Sequence, residues 1–185
     1  MAEPILATSW DDGHPADRRL ADRLARHGIA ATFFVPLANA EGRPVMSPAD
    51  LRALAAEGFE VAAHTLDHRR LSSLPLAEAR RQVVEGRSRL EDILGGPVIG
   101  FAYPGGRTGR HGRRLAAEAG FAYARTTRMF CLSPGDDPLM MATTAQIYPH
   151  RAGAVLRNWA RRGGGLDRLR LAARWLAAGG LEGGV

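Results

Sequence analysis

Strand-like apolar runs alternate with helical patterns from the N-terminus to Thr126, and that rhythm limits the chain to folds built on parallel strands with helical crossovers. The first run, Ile5-Leu6-Ala7, leads into the charged turn Asp11-Asp12-Gly13. Ala16 to His27 carries Leu20 and Leu24 four apart with arginines on the other side, and Gly28 follows as a stop, which predicts an amphipathic helix. Ala31 to Val35 is a β-rich run ended by Pro36. Ser47 as N-cap, Pro48 at the first helical position and Asp50 in the first turn open a second helix reaching Gly58. Phe59 to Ala63 is the third strand, Pro75 to Leu94 a longer helix weakened by Gly86, and Val98 to Tyr103 the fourth strand. Gly112 to Ala119 is a short helix and Phe121 to Thr126 the fifth strand. An open parallel sheet and a barrel both satisfy this pattern. No GxGxxG or GxxxxGK[ST] follows the first strand, which disfavours a nucleotide site.

At 185 residues the alternation fits one domain, residues 1–185, with core enough to fold without staples. The single cysteine, Cys131, excludes an internal disulfide and a thiolate metal cluster. The N-terminus has no basic segment followed by an apolar stretch, and no run approaches the ~18 apolar residues of a membrane span, so a soluble, cytoplasmic protein is expected. The net charge is +6, and the basic residues are all arginine in a chain crowded with alanine and glycine. Most of those arginines stand beside Asp or Glu on helical patterns, which fits a coding bias better than a nucleic-acid surface. No nucleic-acid partner is expected.

Beyond Thr127 the rhythm loosens. A loop reaches Leu139, Ala145 to Tyr148 reads as a short strand ending at Pro149-His150, and helical patterns surround Ala154 to Arg162 and Leu166 to Ala178. The chain then stops at Gly183-Gly184-Val185, where another strand would begin, so the expected fold is incomplete at its C-terminal edge.

Three stretches carry chemistry. Gly13 lets the chain bend after the first strand so that Asp11 and Asp12 can face one site, where two carboxylates repel unless a cation joins them. Taken alone, that stretch reads first as a solvated turn. His64 and His68 follow the third strand four residues apart, neighbours on a helical turn that can grip one ion. Thr65 stands where a zinc-protease pattern needs Glu, so that reading fails, while two surface histidines remain the alternative. Tyr103-Pro104-Gly105-Gly106 follows the fourth strand. In parallel α/β folds these C-terminal strand ends share one face. One carboxylate and two imidazoles there make a facial site for a catalytic divalent ion, and the second carboxylate is placed to take a proton from the attacking water.

Thr8-Ser9-Trp10-Asp11-Asp12-Gly13, His64-Thr65-Leu66-Asp67-His68 and Phe101-Ala102-Tyr103-Pro104-Gly105-Gly106 resemble the first three motifs of the NodB-homology polysaccharide deacetylases, carbohydrate esterase family four. The resemblance runs in order from Ile5 to Thr127. It implies a distorted (β/α) barrel of about seven strands. The implied reaction is metal-dependent removal of acetyl from an N-acetylated sugar, with zinc as the first choice of ion and cobalt, manganese or nickel as alternatives. By the resemblance Asp11 is the general base and Asp12, His64 and His68 hold the metal. Tyr103, Pro104 and Gly105 line the acetyl pocket, with the Gly105 backbone N–H aligned with the family's oxyanion donor.

Two departures stand out. Ala102 occupies the position where many members carry an arginine that braces the catalytic aspartate, leaving Tyr103, Arg107 or Arg125 to compensate. The late motif that supplies a histidine general acid is also missing. His150 is the only late histidine and the candidate substitute, against the reading of an exposed loop residue after Pro149. Three functions therefore stand: an N-deacetylase of sugars or polysaccharides, a hydrolase of small cyclic amides or imides, or an inactive metal- or glycan-binding domain. The sequence leaves substrate, metal identity and oligomeric state open.

Overall fold

Each strand of the sheet pairs in parallel with the next one along the chain. A computed structural model describes residues 6–146 except 132 and 134, together with Trp159, Ala160, Leu166, Arg170, Ala173 and Arg174. The strands are β1 (Thr8–Asp11), β2 (Ala31–Val35), β3 (Glu60–Ala63), β4 (Gly100–Ala102) and β5 (Tyr123–Arg125), in the spatial order β1-β2-β3-β4-β5. The crossovers are α1 (Asp17–Arg26), α2 (Pro48–Ala56), α3 (Leu76–Leu94) and α4 (Gly112–Glu118). Spatial order equal to chain order means that every crossover is laid in the same direction, the winding of a (β/α) barrel and not of a doubly wound sheet.

Period-two alternation sorts the strand residues onto two faces. Phe33, Val35, Val61, Ala63, Phe101 and Ala124 pack with Leu24, Leu51, Leu54, Val83, Leu90 and Leu115 of the helices in the main core. Phe34, Ala62 and Ala102 form a second, smaller cluster, with Tyr123 against it. That second face is the inner face of the curved sheet. Because both faces are covered, the strands read as continuous apolar runs.

The local signals acted as their chemistry requires. Ser47 accepts from the Asp50 N–H and the Asp50 carboxylate accepts from the Ser47 N–H, a complete capping box on α2. α3 ends on Gly95 in the left-handed conformation at φ 70°.

Two expectations need correction. The first strand is Thr8–Asp11 and not Leu6-Ala7, Ile5 lying outside the described residues: the ladder runs from Thr8 opposite Ala31 to Asp11 opposite Phe34, and Leu6 is 72% exposed. Asp11 is therefore the last strand residue. Ala145 and Gln146 are not in a strand. Met141 instead bridges Arg125 in parallel, donating its N–H to Ala124 (2.9 Å) and accepting from Thr126 (2.9 Å). Of the late helical patterns, the six described residues are helical. His150, the rest of those patterns and Gly183 to Val185 lie outside the described residues. No described helix is long and apolar enough to cross a membrane.

Candidate active site

β1 ends at Asp11, and the next two residues turn sharply: Asp12 has φ 74° and Gly13 φ 60°. A β-carbon on Gly13 would meet Val35 at 3.2 Å, so the turn sits tightly on the end of β2. Left-handed backbone is costly for residues other than glycine and persists where surrounding structure enforces it. Four described non-glycine residues adopt it, and three are Asp12, Thr65 and His68; the fourth is Phe130. Strain is thus concentrated where the sequence places its metal ligands.

His64 and His68 are brought together by this strained loop. They were expected on one helical turn, but β3 ends at Ala63 and residues 64–70 form no helix. The positive φ at Thr65 and His68 folds the loop back instead, bringing the two rings to 5.0 Å between centroids. Asp12 Oδ1 lies 3.0 Å from His68 Nε2 and 3.6 Å from His64 Nε2. Buried His64 has its Nδ1 2.8 Å from the Ala102 carbonyl oxygen. A carbonyl only accepts, so Nδ1 carries a proton there and Nε2 is turned towards Asp12.

Electrostatics follow from that geometry. Hydrogen bonds from His64 and His68 hold the Asp12 carboxyl well below the usual carboxylate range, and the Asp12 contact raises His68. One oxygen and two imidazole nitrogens, all within 4.8 Å of one another, suit a borderline divalent ion such as zinc. His68 Nδ1 is buried without a hydrogen-bond partner among the described residues, so its outer nitrogen lacks there the brace that His64 has.

α3 supports the loop from behind. Gln82 is fully buried; its Oε1 accepts from the Asp67 N–H (3.1 Å) and its Nε2 donates to Glu78 (3.0 Å). One turn further on, a β-carbon on Gly86 would lie 2.9 Å from the Leu66 nitrogen and the Thr65 carbonyl carbon. The sequence reading treated Gly86 as a weakness and passed over Gln82. A glutamine in the same helical stripe as Ala79, Val83 and Gly86 was the available signal.

The second carboxylate has its own partner. Arg125 Nη2 donates to Asp11 Oδ1, and the guanidinium lies over the Phe34 ring, 4.9 Å from its centroid. Arg125 is the Cα partner of Ala102 across the β4–β5 ladder, and Phe34 is the partner of Asp11 across β1–β2. The small Ala102 side chain leaves the inner face open for an arginine from the neighbouring strand. Among Tyr103, Arg107 and Arg125, the contact belongs to Arg125.

Tyr103 is a correction. Its side chain is buried in the main core, edge-on to Phe101 at 5.1 Å, and its hydroxyl donates to the Leu139 carbonyl (2.9 Å). Burial pushes its phenol well above the ordinary value. Alternation along β4 explains this: Ala102 faces inward, so Tyr103 faces the helices and its ring does not line an open acetyl pocket. Pro104 is also buried, whereas Gly105 is exposed at φ 62°. Two charged residues near the site were not singled out. Arg43 reaches to 4.0 Å from Asp12 while paired to Glu41 at 3.1 Å. Burial raises the Asp17 carboxyl to about 6.

Comparison with known proteins gives a consistent family. The family model described as polysaccharide deacetylase matches residues 1–124. Over 84 residues the chain is 39% identical to a chitooligosaccharide deacetylase of Sinorhizobium fredii, covering 44% of this chain and 37% of that protein. Over 92 residues it is 29% identical to a peptidoglycan-N-acetylglucosamine deacetylase of Bacillus cereus, covering 49% of this chain and 32% of that one. The chain thus spans about a third of the length of these curated relatives. Among solved structures, IcaB of Ammonifex degensii superposes with a TM-score of 0.63 at 24% identity, covering 75% of this chain and 66% of that chain. The Streptococcus pyogenes deacetylase PplD, in complex with acetate, also gives 0.63, at 17% identity, covering 73% and 61%. These two likenesses bear on the fold alone.

Proposed function

Since the chain belongs to the polysaccharide deacetylase family, we propose that it hydrolyses the acetamido group of an N-acetylated sugar, releasing acetate and leaving a free amine. Asp12, His64 and His68 are the residues that would hold a divalent ion. Bound there, the ion supplies Lewis acidity towards the acetyl carbonyl oxygen and acidifies the attacking water.

This chain's own residues do the rest. Asp11 accepts a proton from the attacking water. Arg125 fixes which Asp11 oxygen faces the reaction, because the guanidinium engages Oδ1. Phe34 beneath Arg125 restricts that guanidinium to one plane. The exposed Gly105 is the backbone donor for the developing oxyanion. His150, the candidate acid for the leaving amine, lies outside the described residues.

The observation that carries this reading is the separation of the two adjacent aspartates, Asp12 held by two imidazoles and Asp11 held by an arginine. The test is acetate release from N-acetylglucosamine oligomers by the purified chain. Release should stop with a chelator, return with added zinc or cobalt, and be lost in Asp11→Asn. Chelator-insensitive release, or full activity in Asp11→Asn, would refute the mechanism.

A further inference from the structure

Arg70, Arg107 and Arg110 are exposed, and none forms an ion pair with a described carboxylate. That sets them apart from their neighbours. Arg69 is paired with Asp67 (3.4 Å) and Glu78 (3.8 Å), and Arg113 is paired with Asp137. The three unpaired arginines belong to two segments that touch: a β-carbon on Gly109 would lie 2.8 Å from the Ser72 Cα. Both segments follow strand ends of the candidate site. Arg70 is two residues beyond His68, and Arg107 two beyond Gly105.

Arg70 is the best placed of the three. Its backbone carbonyl accepts from the Ser73 N–H (3.0 Å) and hydroxyl (2.8 Å), which fixes its Cα at the head of a short 3-10 turn over Leu71–Ser73. Its side chain lies across Gly105, where an added β-carbon would come within 3.3 Å of the Arg70 Nε. Glycine at 105 therefore gives the guanidinium room beside the backbone proposed to face the reacting acetyl group. Like charges gathered on one rim repel and are favoured when an anion bridges them. A planar guanidinium also binds carboxylate and phosphate oxygens in pairs.

We propose that Arg70 and Arg107, with Arg110 behind them, form an anion subsite at the mouth of the site, so that the substrate is an N-acetylated glycan carrying a carboxylate or phosphate close to the acetylated sugar. The inference rests on the deacetylase reading for the identity of the ligand as a glycan. It goes beyond that reading in the charge it assigns to the substrate.

The test measures binding and turnover separately, with the full chain and three oligosaccharides of matched length. These are neutral chitotetraose, a hyaluronan tetrasaccharide bearing carboxylates, and a chitotetraose bearing a 6-phosphate. At about 50 mM salt one or both anionic ligands should bind about tenfold more tightly than the neutral one, and the preference should shrink at about 500 mM. Arg70→Gln with Arg107→Gln should abolish the preference while leaving neutral binding within about twofold; Arg23→Gln with Arg26→Gln, in the last turn of α1, should leave it unchanged. The better anionic arm identifies carboxylate or phosphate. Equal affinities, failure to bind any of the three, or an equal loss of preference in the α1 variant would overturn the subsite. So would tighter binding of a short DNA strand by the same arginines. Turnover of chitotetraose without any preference would leave the deacetylase reading standing and remove this one.

Discussion

Ala102 and Arg125 are partners across the β4–β5 ladder, and the guanidinium of Arg125 lies over the Phe34 ring and reaches Asp11. Relocation to the next strand keeps the charge on the inner face because parallel partners point the same way. Arg125 is mostly buried, with 12% of its side chain exposed, so it reaches Asp11 in a poorly screened setting.

Arg125→Met should therefore lower kcat/KM on an N-acetylated oligosaccharide by about a hundredfold, the size of effect expected when a base is misaimed. The loss should fall on kcat and leave KM nearly unchanged, since the arginine reaches Asp11 and not the sugar. Arg125→Lys should recover part of it. Steady-state kinetics decide the matter, and a loss confined to KM would assign Arg125 to substrate binding instead.

The metal set makes a separate prediction. In a thermal or urea titration, zinc at about a hundredfold excess over its dissociation constant should stabilise the wild type by about 2.7 kcal/mol. Asp12→Ala and His68→Ala should lose that increment. Chelator should return the wild type to its metal-free stability. Stabilisation retained in Asp12→Ala would place the ion elsewhere.

How much of this was legible in the sequence depends on the range of each cause. β2 and α2 were readable to within a residue or two, because their signals are local: Pro36 after Val35, and Ser47-Pro48 with Asp50 before Leu51. β1 was misplaced because Ile5-Leu6-Ala7 is the more apolar stretch, whereas the strand is fixed by pairing with β2. The histidines were grouped correctly for a partly wrong reason: i and i+4 meet on a helix, but here a strained loop brings them together. The orientation of Tyr103 needed the register of β4, and the choice of Arg125 over Arg107 needed the β4–β5 partner. Neither is a property of neighbouring residues.

Two substitutions on α3 test whether the loop is held from behind. Glycine to alanine inside a helix ordinarily stabilises by about 0.5–1 kcal/mol. At Gly86 the sign should reverse, because the added carbon would stand 2.9 Å from backbone atoms of Thr65 and Leu66 and neither can swing away as a side-chain end would. A loss of about 1–3 kcal/mol is expected from such overpacking. Gln82→Leu leaves the Asp67 N–H without its acceptor, at a cost of about 1–3 kcal/mol. If the glutamine positions the ligand loop, zinc affinity falls in that variant beyond what the stability loss explains, as read by calorimetry well below the melting temperature. Unchanged affinity with lowered stability would make Gln82 a packing residue only.

Asp17, in the first turn of α1, gives the pH dependence. Its Oδ2 is buried without a hydrogen-bond partner among the described residues, and burial is the largest cause lifting its carboxyl from 3.8 to about 6. His14 pulls in the opposite direction, while Asp12 and Asp11 add to the rise. The folded protein therefore binds this proton more tightly than the unfolded chain does. The stability it contributes is fully present below the unfolded value of 3.8 and is lost as pH rises through about 6. Asp17→Asn keeps the shape and removes the ionisation. In chelator-treated protein it should match the wild type in acid and become the more stable of the two above the folded pKa, by on the order of 1 kcal/mol after allowing for partial solvent screening. Urea midpoints measured from pH 4 to pH 8, roughly the span over which linkage applies, should diverge through that interval. A constant offset across it would mean that Asp17 is not protonated in the fold.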